Sequence, residues 1–302
     1  MIQQETVKQS QSFAIAEKLR DYKLLIKFNL SFMVVFSAVI AYLLAPKVVA
    51  FDWKAIVIFF TGGMLVTASA NAINQITEKD TDALMKRTAN RPIAAGRMSE
   101  TEGWIFSALA GLAGILILWR FNFLTAALAA LSLFLYAFIY TPLKKISSVA
   151  VLVGAIPGAL PCLIGWAAGN DSLTAGGWIL FAIQFLWQFP HFWAIAWIAH
   201  KDYSNAGFKL LPSKEGQTKF SAIQAIIYSL LLLPVGVLPY FFEMSGMISL
   251  IIVSIANLMM IAQCVRLYNE MTVAAARRVM FSSYIYLPVV LLALLANKIP
   301  VY

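Results

Sequence analysis

Nine stretches of mainly apolar residues recur along the chain, each close to the ~20 residues that an α-helix needs to cross a bilayer. They cover residues 28–46, 55–75, 103–119, 122–140, 147–168, 175–199, 220–240, 245–264 and 279–297. Lys27 and Asn29 interrupt the start of the first stretch. Only Arg120 and Phe121 separate the third from the fourth, which predicts a tight helical hairpin. The pattern predicts an all-α integral membrane protein with nine transmembrane helices.

Positive charges fall mainly on alternate loops between these stretches. Of the 23 Lys and Arg residues, 19 lie on the side that holds the N-terminus. The other side holds only Lys47, Lys54, Arg120 and Lys298. By the positive-inside rule, the N-terminus is cytoplasmic and the C-terminus lies outside. The net charge of +9 therefore reports topology and does not call for a nucleic-acid partner.

Composition agrees with this class and adds little chemistry. The chain of 302 residues is 61% hydrophobic and 12% charged, with a mean hydropathy of +0.79, which excludes an ordinary soluble fold. Cys162 and Cys264 lie inside spans and are expected to be small apolar fillers.

The chain divides into two expected parts. Residues 1–27 resemble neither a cleavable signal peptide nor a transit peptide. We expect them to form a cytoplasmic segment with a short amphipathic helix at the membrane surface. Its apolar face would carry Ile15, Leu19, Tyr22 and Ile26. Residues 28–302 would form a single domain.

The strongest chemical signal follows the second span, in the sequence NAINQITEKDTDALMKRTANRP of residues 71–92. Asn74, Glu78 and Asp82 recur every four residues, so on a helix they lie on one face, about 6 Å apart along the axis. We name these three residues the oxygen ladder. Hard oxygen ligands favour Mg²⁺.

Lys86, Arg87 and Arg91 follow the ladder, and Mg²⁺ together with cations favours a diphosphate ligand. The alternative is a solvated helix end with i,i+4 ion pairs such as Asp82–Lys86. Acids at the end of a membrane helix usually mark function, which favours the site.

A second polar loop follows the sixth span, in the sequence WQFPHFWAIAWIAHKDYSNAGFKLLP of residues 187–212. Asp202 beside Lys201 is placed to face the ladder and complete a metal site. An ordinary pair of charges next to the membrane explains Asp202 equally well.

His191 in the same region lies nine residues before His200, roughly 13 Å into the membrane. A histidine at this depth needs a partner or a task. Pro190 permits a kink that faces a cavity, and Gln188 and Trp187 lie close in sequence. The interpretations that stay open are an iron ligand, a polar contact for a large aromatic guest, and a hydrogen bond to a neighbouring helix.

Two further stretches leave alternatives open. Tyr140 and Lys144 share a helical face at the end of the fourth span, where Lys144 would reach a phosphate or anchor the interface. The fifth span contains GAIPGALPCLIG, whose Gly and Pro residues predict close helix packing or a broken helix that lines a cavity.

Together these residues resemble a known family. The ladder, the following R-T-x-N-R-P and the Y-x-x-x-K end of span four are similar to the UbiA superfamily of intramembrane prenyltransferases. Within it, WQFPHFWAIAW followed by DYSNAGFKLLP resembles the protohaem IX farnesyltransferases, or haem O synthases. The resemblance extends from about residue 23 to the C-terminus. It implies helices around a central cavity in a bacterial cytoplasmic (inner) membrane.

The resemblance also implies the chemistry and the residues that perform it. A farnesyl group would pass from farnesyl diphosphate to a vinyl group of haem b, with Mg²⁺ as cofactor, to give haem O. The expected catalytic metal ligands are Asn74, Glu78, Asp82 and Asp202. The expected diphosphate contacts are Lys86, Arg87, Arg91, Lys144 and Lys201. The expected lining of the haem chamber is His191, Gln188, Trp187, Tyr140 and Asn71.

Three positions depart from the family pattern. Glu78 replaces the usual Asp, and a longer carboxylate still reaches a metal. The usual Lys-Pro-Arg before span one reads Lys27-Phe28-Asn29, which puts a substrate role there in doubt. Asp202 stands where many relatives outside the subfamily have two aspartates.

Two other functions compete with haem farnesylation. One is a related prenyltransferase that acts on an aromatic or quinone precursor. The other is a polytopic transporter, although the carboxylates cluster at one membrane face and a transporter's coupling site lies near the midplane. Besides the substrates and membrane lipids, the resemblance raises haem-A synthase and oxidase-assembly proteins as candidate partners.

Overall fold

The protein is described by a computed structural model that covers residues 15–213 and 215–300, and these residues are almost entirely helical. The described residues contain no β-strand; the one extended pairing is an isolated bridge between Ser245 and Lys298. The helices are α1 Ile15–Leu25, α2 Phe28–Leu44, α3 Trp53–Thr77, α4 Lys79–Leu84, α5 Glu100–Trp119, α6 Phe123–Phe134, α7 Thr141–Leu143, α8 Val149–Asn170, α9 Ala175–Ile198, α10 His200–Asn205, α11 Lys219–Phe241, α12 Met247–Glu270 and α13 Val273–Ala296.

Eight of the described helical segments are long and apolar enough to cross a membrane, which confirms the membrane class. One of them joins α6, a π-helical turn over Leu135–Tyr140, and α7 into a segment of 21 residues. Helix α2 alone has 17 residues. Helices α1 and α2 meet at a bend of 50°. If the two are counted together as one span, the number of membrane-spanning segments rises to nine.

Local sequence sets where several helices begin. Asp52, Ser99 and Asn122 each stand immediately before a helix, and each side chain accepts a hydrogen bond from a backbone N–H of the first turn. Asn122 begins α6 two residues after Arg120, so the predicted hairpin between the third and fourth spans is confirmed.

The helices form two groups that share α2 and α8. In the first group α3 packs on α5, and α6 packs on α8; in the second group α9 packs on α11 and α13, and α12 packs between α11 and α13. Helix α2 contacts α8 and, less extensively, α13. Each group has its own buried apolar cluster.

The glycines of α8 serve close packing. A Cβ added at Gly165 would lie 1.9 Å from the carbonyl oxygen of Ala38 on α2, so only glycine permits this approach. Pro157 and Pro161 lie inside α8 without ending it, and both line an apolar cavity. The expected close packing is therefore confirmed. The span also lines a cavity, but the alternative of a broken helix is wrong, because α8 is continuous from Val149 to Asn170.

Helix α1 lies where the amphipathic segment was expected. Ile15 and Leu19 are exposed, whereas Asp21 is buried in an ion pair with Arg97 and Leu25 is fully buried. The helix is thus fixed to the loop before α5 and keeps an outward apolar face. The expected cytoplasmic segment also includes residues 1–14, which lie outside the described residues.

Candidate active site

The oxygen ladder lies at the end of α3, at a break in the helix. Helix α3 ends at Thr77, Glu78 has φ −104° and ψ 9°, and α4 begins at Lys79. The ladder residues stay together despite the break, since Asn74, Glu78 and Asp82 all line one polar pocket. All three side chains are buried, and Asp82 has no exposed surface.

Two ladder oxygens contact lysines from other segments. The Nζ of Lys27 donates to Asn74 Oδ1 at 2.7 Å, and the Nζ of Lys144 lies 2.5 Å from Glu78 Oε1. Asn74 also donates from Nδ2 to Glu78 Oε2 at 2.9 Å and, more weakly, to Thr141. The α1–α2 turn and the end of α7 therefore meet at the ladder.

The third ladder residue pairs with an arginine of its own loop. Arg91 donates to Asp82 Oδ2 at 2.6 Å, and the Thr88 hydroxyl donates to the backbone oxygen of Asp82 at 2.9 Å. Asp82 Oδ1 is buried and accepts no hydrogen bond among the described residues. One carboxylate oxygen thus remains available to a ligand in the pocket.

Helix α10 and the loop after it close the pocket from the other side. Arg87 donates to the Tyr203 hydroxyl at 2.6 Å, and its guanidinium lies 5.2 Å from the centre of that ring. Phe208 packs near Met85, and Lys144 lies 5.6 Å from the Phe208 ring centre. The second polar loop therefore reaches the pocket, but through Tyr203 and Phe208 and not through the Asp202 carboxylate.

The pocket carries more positive than negative charge. Its lining side chains include four cations, Lys27, Arg87, Arg91 and Lys144, and two carboxylates, those of Glu78 and Asp82. An excess of about two positive charges in a mostly buried pocket favours a polyanion.

Burial shifts the pKa values of two charged groups in this pocket. It holds the pKa of Lys27 well below its ordinary value, and the nearby charges of Arg91 and Lys144 lower that pKa further. Burial also raises the pKa of Asp82, an effect that Arg91 opposes. A bound anion beside Lys27 and a bound cation beside Asp82 would each favour the charged form.

An apolar cavity adjoins the polar pocket. Tyr136 lines both, and Asn71, one turn before Asn74, lines the apolar cavity. The remaining walls come from α2, α3, α5, α6 and α8, and they are Leu30, Val34, Val35, Ala38, Phe59, Gly63, Val66, Thr67, Ala70, Leu118, Ala129, Ser132, Leu133, Pro157, Gly158, Pro161 and Ile164. The cavity therefore lies within the first helix group, and a polar head with a long apolar tail matches the two compartments together.

Half of the expected site residues line the polar pocket. These seven are Asn74, Glu78, Asp82, Arg87, Arg91, Lys144 and Tyr140. Lys86 and Lys201 are exposed and line neither compartment, and Asp202 on α10 is half-buried outside both. Among the residues that the structure describes, no three His, Cys, Asp or Glu side chains come together in a group that could hold a metal ion.

The deep histidine lies between α9 and α13. His191 Nδ1 is 2.8 Å from Ser283 Oγ, and its ring stacks on Trp187 with centroids 4.8 Å apart. Because the Ser283 hydroxyl already donates to the Met280 carbonyl at 2.6 Å, it accepts from Nδ1–H of His191. The lone pair is then on Nε2, which has no hydrogen-bond partner in the described part of the chain.

The two neighbours of the histidine make structural contacts. Trp187 donates to the backbone oxygen of Ser283 at 2.9 Å, and Gln188 donates to that of Ala155 at 3.0 Å. None of His191, Trp187 and Gln188 lines the polar pocket or the apolar cavity. Their part in a haem chamber stays a prediction.

Sequence reasoning missed several residues of the pocket. Lys27, Tyr136, Thr88 and Tyr203 line it, although none was among the expected site residues. Lys27 gave a signal, because a lysine at the start of an apolar stretch is costly without a partner. Tyr136 gave none, since an aromatic residue inside a span is ordinary.

The sequence profile described as the UbiA prenyltransferase family matches residues 34–286, most of the chain. The chain belongs to this family. Its relatives include a Protoheme IX farnesyltransferase of Cytophaga hutchinsonii, 46% identical over 94% of this chain and 100% of the relative. Another, from Flavobacterium johnsoniae, is 38% identical over 92% of this chain and 94% of the relative.

Solved structures of the family share the fold. A structure described for digeranylgeranylglyceryl phosphate synthase matches with a TM-score of 0.77 and 25% identity, covering 94% of this chain and 100% of that one. A UbiA homologue from Archaeoglobus fulgidus bound to GPP and Mg²⁺ matches with a TM-score of 0.65. The match covers 91% of this chain and 99% of that one. At 14% identity the second likeness shows the fold alone.

Proposed function

We propose that this chain transfers the farnesyl group of farnesyl diphosphate to a vinyl group of protohaem IX, giving haem O. The observation that carries the proposal is a pair of adjacent compartments that share Tyr136 as a lining residue, one polar with excess positive charge and one apolar. The relatives named for this reaction match over nearly the whole chain and supply the identity of the acceptor.

The diphosphate would occupy the polar pocket and the isoprenoid chain the apolar cavity. Arg87, Arg91, Lys144 and Lys27 are the cations that reach the pocket, and each now contacts a protein group that a phosphate oxygen would replace or share. Charge-assisted contacts of this kind would bind the ground state and stabilise the departing diphosphate.

The donor set also fits a hard divalent cation. Asn74, Glu78 and Asp82 supply oxygen atoms in one buried pocket, and Asp82 Oδ1 has no hydrogen-bond partner there among the described residues. We propose these three as the residues that would hold Mg²⁺ with the diphosphate. Bound Mg²⁺ would neutralise charge on the leaving group. Asp202 would join them only after a shift of α10.

The reaction balances as an electrophilic alkylation followed by hydration. The bond between C1 of the farnesyl group and the diphosphate oxygen breaks, and the diphosphate leaves with both electrons. A vinyl carbon of haem b forms the new bond to C1, water adds to the resulting cation, and one proton is released.

Protein groups near the junction would control this step. Tyr136 lines both compartments, so its ring is placed to stabilise positive charge that develops near C1. Asn71 is buried, lines the apolar cavity, and its Oδ1 accepts no hydrogen bond among the described residues. The apolar walls would keep water from the allylic cation until the vinyl carbon reacts.

We include His191 in the proposal as a haem contact. Its fixed Nδ1–H tautomer leaves Nε2 with a lone pair, which is the form that binds haem iron or accepts a hydrogen bond. The alternative is a purely structural role, in which the hydrogen bond to Ser283 joins α9 and α13. Loss of either partner would then have the same effect.

We further propose nine spans with the active site on the cytoplasmic side of a bacterial inner membrane. The excess of Lys and Arg on one side supports the orientation. Counting α1 with α2 supports the number. Every cation of the polar pocket then comes from the cytoplasmic ends of the helices.

Turnover by the purified chain in phospholipid vesicles tests the function. Haem b, farnesyl diphosphate and Mg²⁺ should yield a porphyrin heavier by one farnesyl group and one hydroxyl group, with one diphosphate and one proton released per product. Chelation of Mg²⁺ should stop the reaction. Faster prenylation of an aromatic or quinone precursor would replace the proposed acceptor. Accumulation of a substrate inside vesicles without product would favour a transporter.

A further inference from the structure

A groove with five positive side chains lies beside the polar pocket, at the bend between α1 and α2. We call it the cationic groove. Its lining consists of Arg20, Lys23, Leu24, Lys27, Phe28, Asn29, Leu30, Arg87 and Arg91. None of these lining residues is acidic, so the groove is more positive than the polar pocket itself.

Two of its cations have no carboxylate partner among the residues that the structure describes. Arg20 and Lys23 are exposed and three residues apart on α1, so they share one face of the helix. Within the described ranges, neither forms an ion pair, and their acidic neighbour Asp21 is held by Arg97. Lys23 instead lies 5.8 Å from the ring centre of Phe28.

The groove adjoins both compartments of the active site. It shares Lys27, Arg87 and Arg91 with the polar pocket and Leu30 with the apolar cavity. A molecule in the groove would therefore lie next to the place where the diphosphate and the isoprenoid chain meet.

The walls of the groove combine charge with exposed apolar surface. Leu24, Phe28 and Leu30 are 39%, 41% and 51% exposed. This combination selects a ligand with a large flat apolar body and negative groups along one edge. The diphosphate substrate is already accommodated by the other two compartments, which leaves the groove to the acceptor.

We propose that the cationic groove holds the propionate groups of the porphyrin acceptor, with Arg20 and Lys23 as their principal contacts. The inference rests on the proposed function and adds the site that orients the acceptor. The propionates and the vinyl groups lie on different edges of the macrocycle. Holding the propionates beside α1 therefore directs a vinyl edge inward, toward C1 of the farnesyl group.

An anionic lipid headgroup has similar chemistry, since it also joins negative charge to an apolar body. The residues shared with the polar pocket favour the acceptor, because the acceptor has to lie beside C1 of the farnesyl group to react, whereas a lipid headgroup does not. Esterified haem separates the two ligands, since the dimethyl ester of haem b keeps the macrocycle and both vinyl groups but loses both negative charges.

The test compares haem b with its dimethyl ester in the full chain, reconstituted in phosphatidylcholine vesicles. The wild-type protein should show a lower KM for haem b than for the ester. Arg20→Gln and Lys23→Gln should each raise the KM for haem b about three- to tenfold, the range expected for a partly exposed charge-assisted contact. The KM for the ester and that for farnesyl diphosphate should change less than twofold.

A matched control removes one positive charge elsewhere on the same side. Arg277 is exposed and lies outside the three cavities, so Arg277→Gln should leave all three KM values unchanged. Thermal unfolding of each variant checks that the fold is retained, and exposed Arg20 and Lys23 leave no cavity when shortened.

Several outcomes would overturn the inference. Equal increases of KM for haem b and for the ester would show that the propionates are not the groups recognised. A larger increase for farnesyl diphosphate would assign the groove to that substrate. An effect that appears only in vesicles with anionic lipid would assign it to a headgroup. Absence of haem farnesylation by the wild-type protein would instead refute the proposed function.

Discussion

At the scale of single residues, the ladder is organised by pairing each oxygen group with a cation from a different place in the chain. Lys27 contacts Asn74, Lys144 contacts Glu78, and Arg91 contacts Asp82. A buried carboxylate without such a partner costs several kcal/mol, so these pairs keep the pocket folded before substrate binds. The same cations are then available to the diphosphate.

The side chain of Asp82 should be essential for turnover. In Asp82→Ala the loss of one divalent ligand removes about 3 kcal/mol of transition-state stabilisation, which is roughly a hundredfold in kcat/KM. Farnesyl transfer measured in vesicles checks this value. Asp80 is exposed and lines neither compartment, so Asp80→Ala is the matched control and should lose less than threefold. Equal activity of the two variants would contradict the proposed role of the ladder.

His191 can be separated from its hydrogen bond by a second substitution. His191→Ala removes both Nδ1–H and Nε2, whereas Ser283→Ala removes only the acceptor for Nδ1–H. If Nε2 contacts haem, His191→Ala should weaken haem binding about tenfold or more, and Ser283→Ala should largely preserve it. Absorption spectra of bound haem measure this, with calorimetry of farnesyl diphosphate as the control. Parallel losses in both variants would indicate a structural role.

At the scale of helices, the break at Glu78 and the bend at Lys27 create the pocket. The uninterrupted pattern of residues 71–82 predicts a continuous helix, and the helical spacing did place the three ladder residues on one face. The chain nevertheless leaves the helix at Glu78, and Lys27 adopts a left-handed φ of 47° between α1 and α2. Both irregular points line the same pocket, where Lys27 reaches Asn74 from the turn between α1 and α2.

The C-terminal end of α2 depends on a lysine from the far end of the chain. Lys298 Nζ donates to the carbonyl oxygens of Leu43, Ala45 and Val48 at 2.8–2.9 Å. These carbonyls lie at the end of α2 or just past it, where the α-helical hydrogen-bond pattern stops, and that of Ala45 also accepts from the Val48 N–H at 3.1 Å. The ammonium group therefore caps α2 and ties it to the segment after α13. Lys298→Met should therefore lower the free energy of unfolding by about 2 kcal/mol, which thermal denaturation in detergent measures.

The matched control for this cap is Lys47, which lies on the same side of the membrane. Lys47 forms an ion pair with Asp171 in which each side chain is 61% exposed. Such exposed pairs contribute at most about 1 kcal/mol to stability. Lys47→Met should change the unfolding temperature by less than half as much. A smaller effect for Lys298→Met than for Lys47→Met would contradict the capping role.

At the scale of the whole molecule, the proposed orientation places the polar pocket and the cationic groove at the cytoplasmic face. Ala95 lies in the loop after α4 and Ser172 in the loop after α8, and both are exposed. Cysteine at Ala95 should react with an impermeant thiol reagent only from the cytoplasmic side, and cysteine at Ser172 only from outside. The native Cys162 and Cys264 are buried and give little background. Labelling of Ala95→Cys from outside would show that the topology is the reverse of the proposed one.

The sequence by itself determined the membrane class, the approximate position of each long helix and the position of the three ladder residues on one face. These depend on local quantities: the length of apolar stretches, the four-residue spacing of Asn74, Glu78 and Asp82, and the charges that follow them. The same local pattern included Arg87, Arg91 and Lys144, which the structure brings to the pocket.

Only the tertiary structure decided which distant groups complete the site. Tyr203 reaches the pocket from α10 while its neighbour Asp202 does not, because adjacent helical residues point about 100° apart and only packing selects one of them. The sequence also gives no sign that Tyr136 lines both compartments or that Arg20 lines the groove. Their positions depend on how α1, α10 and the π-helical turn over Leu135–Tyr140 pack in the folded molecule, which no local spacing encodes.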